Sequence, residues 1–220
     1  MRILLITALA VALGSTAFAT PQYPDKIIYK GKKYELLSNP LESYYREYPD
    51  KRPRFWEFTS EPVGSSALSR GYVATFEIKN NQLYLKDMEI QTGWKETKWT
   101  SVMHKAFPMK KSVKADWATE FLVLPAGKFV TGMYGGYLKV YDNYIFLEVE
   151  NGHVTKVKTF KNPQEYAEYK ERLFEVFKKT DAYKKKKKQA KKYAKWSRER
   201  DADSWMKNYI LNCLSELLVD

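Results

Sequence analysis

Alternation of apolar and polar side chains dominates the chain between Ile27 and Phe160. Ile27-Ile28-Tyr29 and Tyr34-Glu35-Leu36-Leu37 flank Lys30-Gly31-Lys32, which predicts a small hairpin with Gly31 at a positive φ. Asn39-Pro40 ends it, and Leu41 to Tyr48 reads as one or two helical turns stopped by Pro49. Lys51 to Ser69 is rich in Pro, Gly and Ser and reads as loop. The clearest hairpin is Tyr72–Ile78 with Leu83–Ile90. A two-residue Asn80-Asn81 turn pairs Ile78 with Leu83 and Phe76 with Leu85 on one face. Glu77 then sits by Tyr84 and Thr75 by Lys86 on the other.

Gly93 to Lys114 is irregular and polar, and the apolar run Phe121–Leu124 is expected to pair with Phe129-Val130. Leu138 to Phe160 reads as a meander. A turn at Asp142-Asn143 would pair Val140 with Ile145 and Leu138 with Leu147, and Asn151-Gly152 is the strongest hairpin signal in the chain. About seven to nine strands joined by short turns predict a mainly antiparallel sheet.

The period then changes. Asn162-Pro163-Gln164-Glu165 has the form of a helix start with a capping box. Tyr166, Tyr169, Leu173 and Phe177 recur at helical spacing, and the helix is expected to run on past Thr180 through the lysines. Asp201 to Ser204 interrupts and offers caps. Trp205 to Val219 reads as a last helix with a broad apolar stripe that needs a cover. The fold class expected is α+β: a mainly antiparallel sheet domain over 20–161, followed by a C-terminal helical segment over 162–220 with a lysine-rich helix over 178–200.

The first nineteen residues follow a different rule. Met1-Arg2 gives a positive start, Ile3–Leu13 is apolar but for Thr7, and Ala17-Phe18-Ala19 has the small-x-small form of an export signal. Ala17, Ala19 and Thr20 mark the expected cleavage site. The apolar run is shorter than the roughly 20 residues that span a bilayer, and the rest of the chain has no second run of that length. The expected location is therefore periplasmic or secreted, with no transmembrane span in the mature chain. The competing reading is a retained anchoring helix. Cys213 is the sole cysteine, so no internal disulfide staples the fold, and a buried thiol on a helix is expected.

Charge is concentrated. Of the formal +12, twelve Lys/Arg against Asp181 and Glu199 put +10 between Lys178 and Arg200. Lys184, Lys185, Lys186, Lys187, Lys188, Lys191, Lys192 and Lys195 are the candidate residues for an anionic surface. Lys184 to Lys188 ring a helix, so they cannot all face one ligand. A solvated, self-repelling helix is the plainer explanation. Export argues against nucleic acid as the target, and leaves lipid headgroups, lipopolysaccharide phosphates or an acidic protein.

Several strand motifs carry a resemblance. They are Tyr29-x-Gly31-x-x-Tyr34, Asn39-Pro40-Leu41-Glu42-x-Tyr44, Arg70-Gly71-Tyr72-x-Ala74-x-Phe76-x-Ile78, Leu83-Tyr84-Leu85-x-Asp87, Leu122-x-Leu124-Pro125-x-Gly127-Lys128 and Asn143-Tyr144-Ile145-x-Leu147-Glu148. Over residues 27 to 180 the chain resembles a family of uncharacterised bacterial proteins found in several copies near toxin-like genes. The resemblance implies an immunity protein with a toxin as partner, and it carries over no catalytic residues.

The residues themselves assign no catalytic, cofactor-binding or metal-binding positions. His104 and His153 lack a partner at ligand or triad spacing. Gly132-x-x-Gly135-Gly136 lacks the Gly-Lys-Ser/Thr ending of a phosphate loop. Glu77, Asp87, Glu89, Asp116 and Glu148 are carboxylates that a sheet face explains. Phe55-Trp56-x-Phe58, Trp94 and Trp99 fit either a binding platform or, as expected here, burial under loops. Three functions follow in order: an exported, non-enzymatic binding protein, in the sense the resemblance implies a toxin-neutralising immunity protein; an envelope-surface binder acting through the lysines; and a hydrolase with carboxylate chemistry.

Overall fold

The computed structural model describes residues 22–61, 64–93, 98–132, 139–194 and 201–208. Among them the α+β class holds. Eleven strands, β1 (Asp25–Tyr29), β2 (Lys32–Leu36), β3 (Val73–Lys79), β4 (Gln82–Thr92), β5 (Lys98–Ser101), β6 (Val113–Lys114), β7 (Glu120–Pro125), β8 (Phe129–Gly132), β9 (Lys139–Tyr141), β10 (Tyr144–Glu150) and β11 (His153–Phe160), precede the C-terminal helices. The helices are α1 (Pro40–Glu47), the single turn α2 (Met103–Ala106), α3 (Pro163–Phe177), α4 (Asp181–Ala194) and α5 (Ala202–Asn208).

The main sheet runs β2-β1-β3-β4-β11-β10-β7, with β5 and β6 also on β4. Every pair is antiparallel except β1 with β3, which is parallel. The sheet curls until its ends meet: the Leu37 N–H donates to the Val123 carbonyl at 2.9 Å. Ile27, Leu36, Phe76, Leu83, Leu85, Leu122, Leu124, Leu147 and Val149 converge on one interior, joined by Leu41 and Tyr45 of α1. A second core lies on the outer face of β7 and β10. There Phe121, Val123, Tyr144 and Phe146 meet Phe160 and, from α3, Tyr166, Phe174 and Phe177. The continuous apolar run at Phe121–Leu124 is thereby explained, because β7 is buried on both faces.

Three hairpins follow their turn chemistry. Lys30-Gly31, Asn80-Asn81 and Asn151-Gly152 all have positive φ at both central residues. Gly152 is irreplaceable on space as well, because a Cβ there would lie 2.7 Å from the Ala115 carbonyl oxygen. The register Ile78–Leu83, Glu77–Tyr84 and Phe76–Leu85 is as expected. Thr75 is not opposite Lys86 but Asp87, because a bulge takes up Lys86. The bulge shifts the buried set of β4 from Leu83 and Leu85 to Met88 and Ile90, and so keeps four apolar residues inside.

Two pairings differ from expectation. Phe129-Val130 does not pair with Phe121–Leu124: β8 pairs with β9 in a separate two-stranded ribbon, and β10 takes the edge of β7. Val140 accordingly faces Thr131 rather than Ile145, and Leu138 lies outside the described residues. The physical reason is burial: pairing β7 with β10 sandwiches two strongly apolar strands between both cores, whereas β8 is exposed along its length. The segment expected to be irregular also contains β5, α2 and β6.

The helical start is as expected. Asn162 Oδ1 accepts from the Glu165 N–H at 2.8 Å, and Glu165 Oε2 accepts from the Lys161 N–H at 3.1 Å. Tyr166 stacks on Tyr144 with ring centres 4.1 Å apart, which seats α3 on β10. The helix does not run on through the lysines. It breaks at 178–180, where the Thr180 hydroxyl donates to the Phe177 carbonyl (2.8 Å) and accepts from the Tyr183 N–H (3.2 Å), capping α4. Among the described residues no helix is long and apolar enough to cross a membrane. The signal segment with Ala17, Ala19 and Thr20, the Trp94 loop, Cys213 and most of the expected last helix lie outside the described residues.

Candidate functional site

The lysine-rich helix is docked, and the docking sorts its lysines. Asp201 caps α5 by accepting from the Ser204 N–H at 2.8 Å. From α5, Asp203 then accepts from the Tyr183 hydroxyl at 2.9 Å and pairs with Lys187 at 3.1 Å. Lys187 Nζ also donates to the Tyr183 hydroxyl at 2.7 Å. Ala190 and Met206 are fully buried, and Lys207 pairs with Glu171 of α3. Tyr183, Lys187 and Ala190 lie four and three residues apart, so they form one stripe that faces inward.

The neighbouring stripe, about 100° round the helix, is equally regular. Lys184, Lys188 and Lys191 share the same four-and-three spacing, and they are exposed together with Lys185. Lys184 pairs with Asp181 at 2.8 Å, but both groups are open to water, so that pair is weak. Lys186 is half-buried and Lys187 is committed to Asp203. The ring of lysines expected from sequence thus resolves into a one-sided face of four. Lys187 differs from those four in being held in a half-exposed pair with Asp203 of α5. Lys192 lies in α4, and Lys195 lies outside the described residues.

A second cluster was not singled out by sequence. Asp25 is fully buried, and its Oδ1 accepts from Arg70 Nη2 (2.9 Å) and from the Ala74 N–H (2.8 Å). Nearby in the electrostatic sense, Glu42 accepts from the Tyr72 hydroxyl (2.8 Å) and takes both Arg52 Nη atoms at 2.9 Å. Glu120 at the start of β7 accepts from the Ser43 hydroxyl at 3.1 Å. Burial pushes the Asp25 carboxyl up to about 6 against the pull of Arg70. Burial likewise pushes Glu120 up to about 7 against Ser43 and Arg46. Asp25 Oδ2 has no hydrogen-bond partner among the described residues, as suits an acid that holds its proton to mildly acidic pH.

Two raised carboxyls are the electrostatic mark of acid–base sites. Here they are enclosed: Asp25 has no exposed surface and Glu120 is 9% exposed, so a substrate cannot reach them. Their geometry ties strands together instead. The carboxylates considered from sequence are all in surface pairs or bonds: Glu77 with Lys86 (3.2 Å), Glu89 with Lys26 (2.8 Å), Asp116 with Lys114 (3.0 Å), Glu148 with Lys156 (3.1 Å) and Asp87 with the Ser101 hydroxyl (2.6 Å). His104 and His153 are both exposed. Among the described residues no three His, Cys, Asp or Glu side chains gather as metal ligands. Phe55 is buried as expected, whereas Trp56 is 63% exposed and Trp99 packs edge-on against Tyr23 at the surface.

The Glu120 carboxyl predicts a pH dependence. Its folded value of about 7 lies above the unfolded value, so its share of stability is complete below about pH 4 and is lost as pH rises through about 7. The loss amounts to about 3 kcal/mol. In Glu120→Gln that share of the decline is expected to vanish, leaving between pH 5 and pH 8 only the smaller loss that Asp25 contributes as pH rises through about 6. Urea unfolding at both pH values checks it, and an unchanged pH slope in the variant would refute the assignment.

The chain matches no family model, no curated protein and no solved structure.

Proposed function

We propose that this is an exported binding protein that attaches to an anionic envelope surface through the lysine face of α4. The observation that carries it is the sorting of the run: Lys184, Lys185, Lys188 and Lys191 lie exposed on an arc that begins beside the docked stripe of Tyr183 and Ala190 and runs round to the far side of the helix. Docking fixes the orientation before binding, so the four ammonium groups are presented together without ordering a loose segment. Lysine treats phosphate as a point charge, so selectivity among anionic headgroups should be low.

Each lysine near an anionic surface is worth about 1 kcal/mol. Replacing the four by Gln is thus expected to weaken co-sedimentation with anionic phospholipid vesicles by about a thousandfold. Wild-type binding should fall steeply with added salt and be absent on neutral vesicles. Binding indifferent to salt and to the four replacements would end this reading. Sequencing of the chain from the periplasmic fraction, expected to begin at Thr20, tests the export half separately.

The alternative is a protein partner, a toxin in the sense the resemblance implies. The observation favouring it is a β11 edge that no strand among the described residues pairs. Protection of cells from a co-expressed neighbouring toxin is its direct test.

A further inference from the structure

The curled sheet is thinly bonded at two junctions: its end strands β2 and β7 meet only through the Leu37–Val123 bond, and within the sheet β4 and β11 form a seam. β4 and β11 share a single register pair, Gln82 with His153, supported by the Val154 N–H donating to the Asn81 carbonyl at 2.8 Å. Beyond it the two strands part. β4 turns its free side to β6 at Tyr84 and Leu85 and to β5 at Glu89–Thr92. The segment between β6 and β7 fills the narrow end of the gap, with the Ala115 N–H on the Leu83 carbonyl and the Gly152 N–H on the Ala118 carbonyl. From Thr155 to Phe160, β11 pairs with β10 on one side and with no strand on the other among the described residues. Thr155 to Thr159 are all exposed.

The two faces of that edge differ in chemistry. Val157 is 51% exposed, although Leu147 opposite it in the register is fully buried, so an apolar spot lies beside the open edge. Lys156 and Lys158 point to the other face. Lys156 is 76% exposed and pairs with Glu148 at 3.1 Å, a contact an incoming carboxylate would share, and Lys158 sits 4.3 Å over the Tyr169 ring. A second copy of the chain is a poor occupant. Antiparallel self-pairing centred on Val157 would set Lys156 against Lys158, and like charges opposite each other are destabilising.

We propose that residues 155–160 of β11 dock an extended acidic segment of another protein as an added strand. Its Glu or Asp side chains alternate on the lysine face, and its β-branched or apolar side chains alternate beside Val157. The proposal rests on the protein-partner alternative above and uses residues separate from the α4 lysines.

The test uses the full chain and capped peptides of about seven residues, the length that spans the open edge. One peptide alternates Glu with Val and Thr; its counterparts carry Gln or Lys for Glu. Hydrogen exchange at 155–160 is expected to slow with the Glu peptide. Fluorescence anisotropy is expected to rank it about tenfold above the Lys peptide, and Lys156→Glu with Lys158→Glu to reverse that order. The protection should persist when Lys184, Lys185, Lys188 and Lys191 are replaced by Gln. No protection at 155–160 from any peptide, or protection lost with the α4 lysines, would overturn strand docking. Equal binding of the Gln and Glu peptides would overturn the acidic selection while leaving a protein partner standing.

Discussion

Replacing Arg70 by Ala is expected to destabilise the fold by about 3–5 kcal/mol at pH 8, and by much less at pH 4. Arg70 Nη2 donates to Asp25 Oδ1 at 2.9 Å and to the Tyr23 carbonyl at 2.6 Å, with the Asp25 carboxyl wholly inside the protein. Even with that counter-charge, burial holds Asp25 at about 6. Without it the carboxyl must either stay charged in the core or take a proton, and its folded value climbs further. An acid whose folded value is raised contributes stability that is complete below its unfolded value and is lost as pH rises through the folded value. The deficit of the variant is therefore largest at alkaline pH. It shrinks below about pH 6, where folded Asp25 holds its proton in wild type and variant alike and only the Arg70 hydrogen bonds are missing. Urea unfolding of wild type and variant at pH 4 and pH 8 measures this. A deficit equal at both pH values would show that Arg70 works through packing and not through the charge on Asp25.

These buried acids were partly legible in the sequence. Asp25, Ile27 and Tyr29 are buried in strict alternation, and Glu120, Leu122 and Leu124 alternate onto the inner face of β7, a strand buried on both faces. Extending either alternation back by one step places a carboxylate indoors. The hairpin registers were legible for a stronger reason: Asn80-Asn81 and Asn151-Gly152 force a two-residue turn, and a turn of fixed length fixes the pairing after it. The bulge at Lys86 was written in the slip from Leu83 and Leu85 to Met88 and Ile90. Pairing between β7 and β10 was not legible, because eighteen residues separate Pro125 from Tyr144 and no turn links them directly. The sorted lysine face was hidden too. Sequence shows five consecutive lysines that surround a helix, and only the contact of Tyr183 with Asp203 says which side is turned inward.

That inward side supplies the second large effect. Phe177→Ala is expected to destabilise the helical layer by about 3–5 kcal/mol while leaving the curled sheet folded. Phe177 is fully buried at the junction of α3 and α4, edge-on to Tyr183 with ring centres 5.7 Å apart. Its core is distinct from the one inside the sheet; the two are separated by β7 and β10, whose opposite faces serve each. Truncation should therefore make the helical far-UV signal melt before amide protection in β3 and β4 is lost, where wild type is expected to lose both together. Anionic vesicles then give a second readout. Undocking α4 frees Lys186 and Lys187 and removes the fixed orientation of the other four, so attachment should survive with weaker affinity despite two more available charges. A variant that melts in one step, with β3 and β4 protection lowered as much as the helices, would mean that the two cores act as one. In that case the lysine face is held by the whole fold and not by the α3–α4–α5 contacts alone.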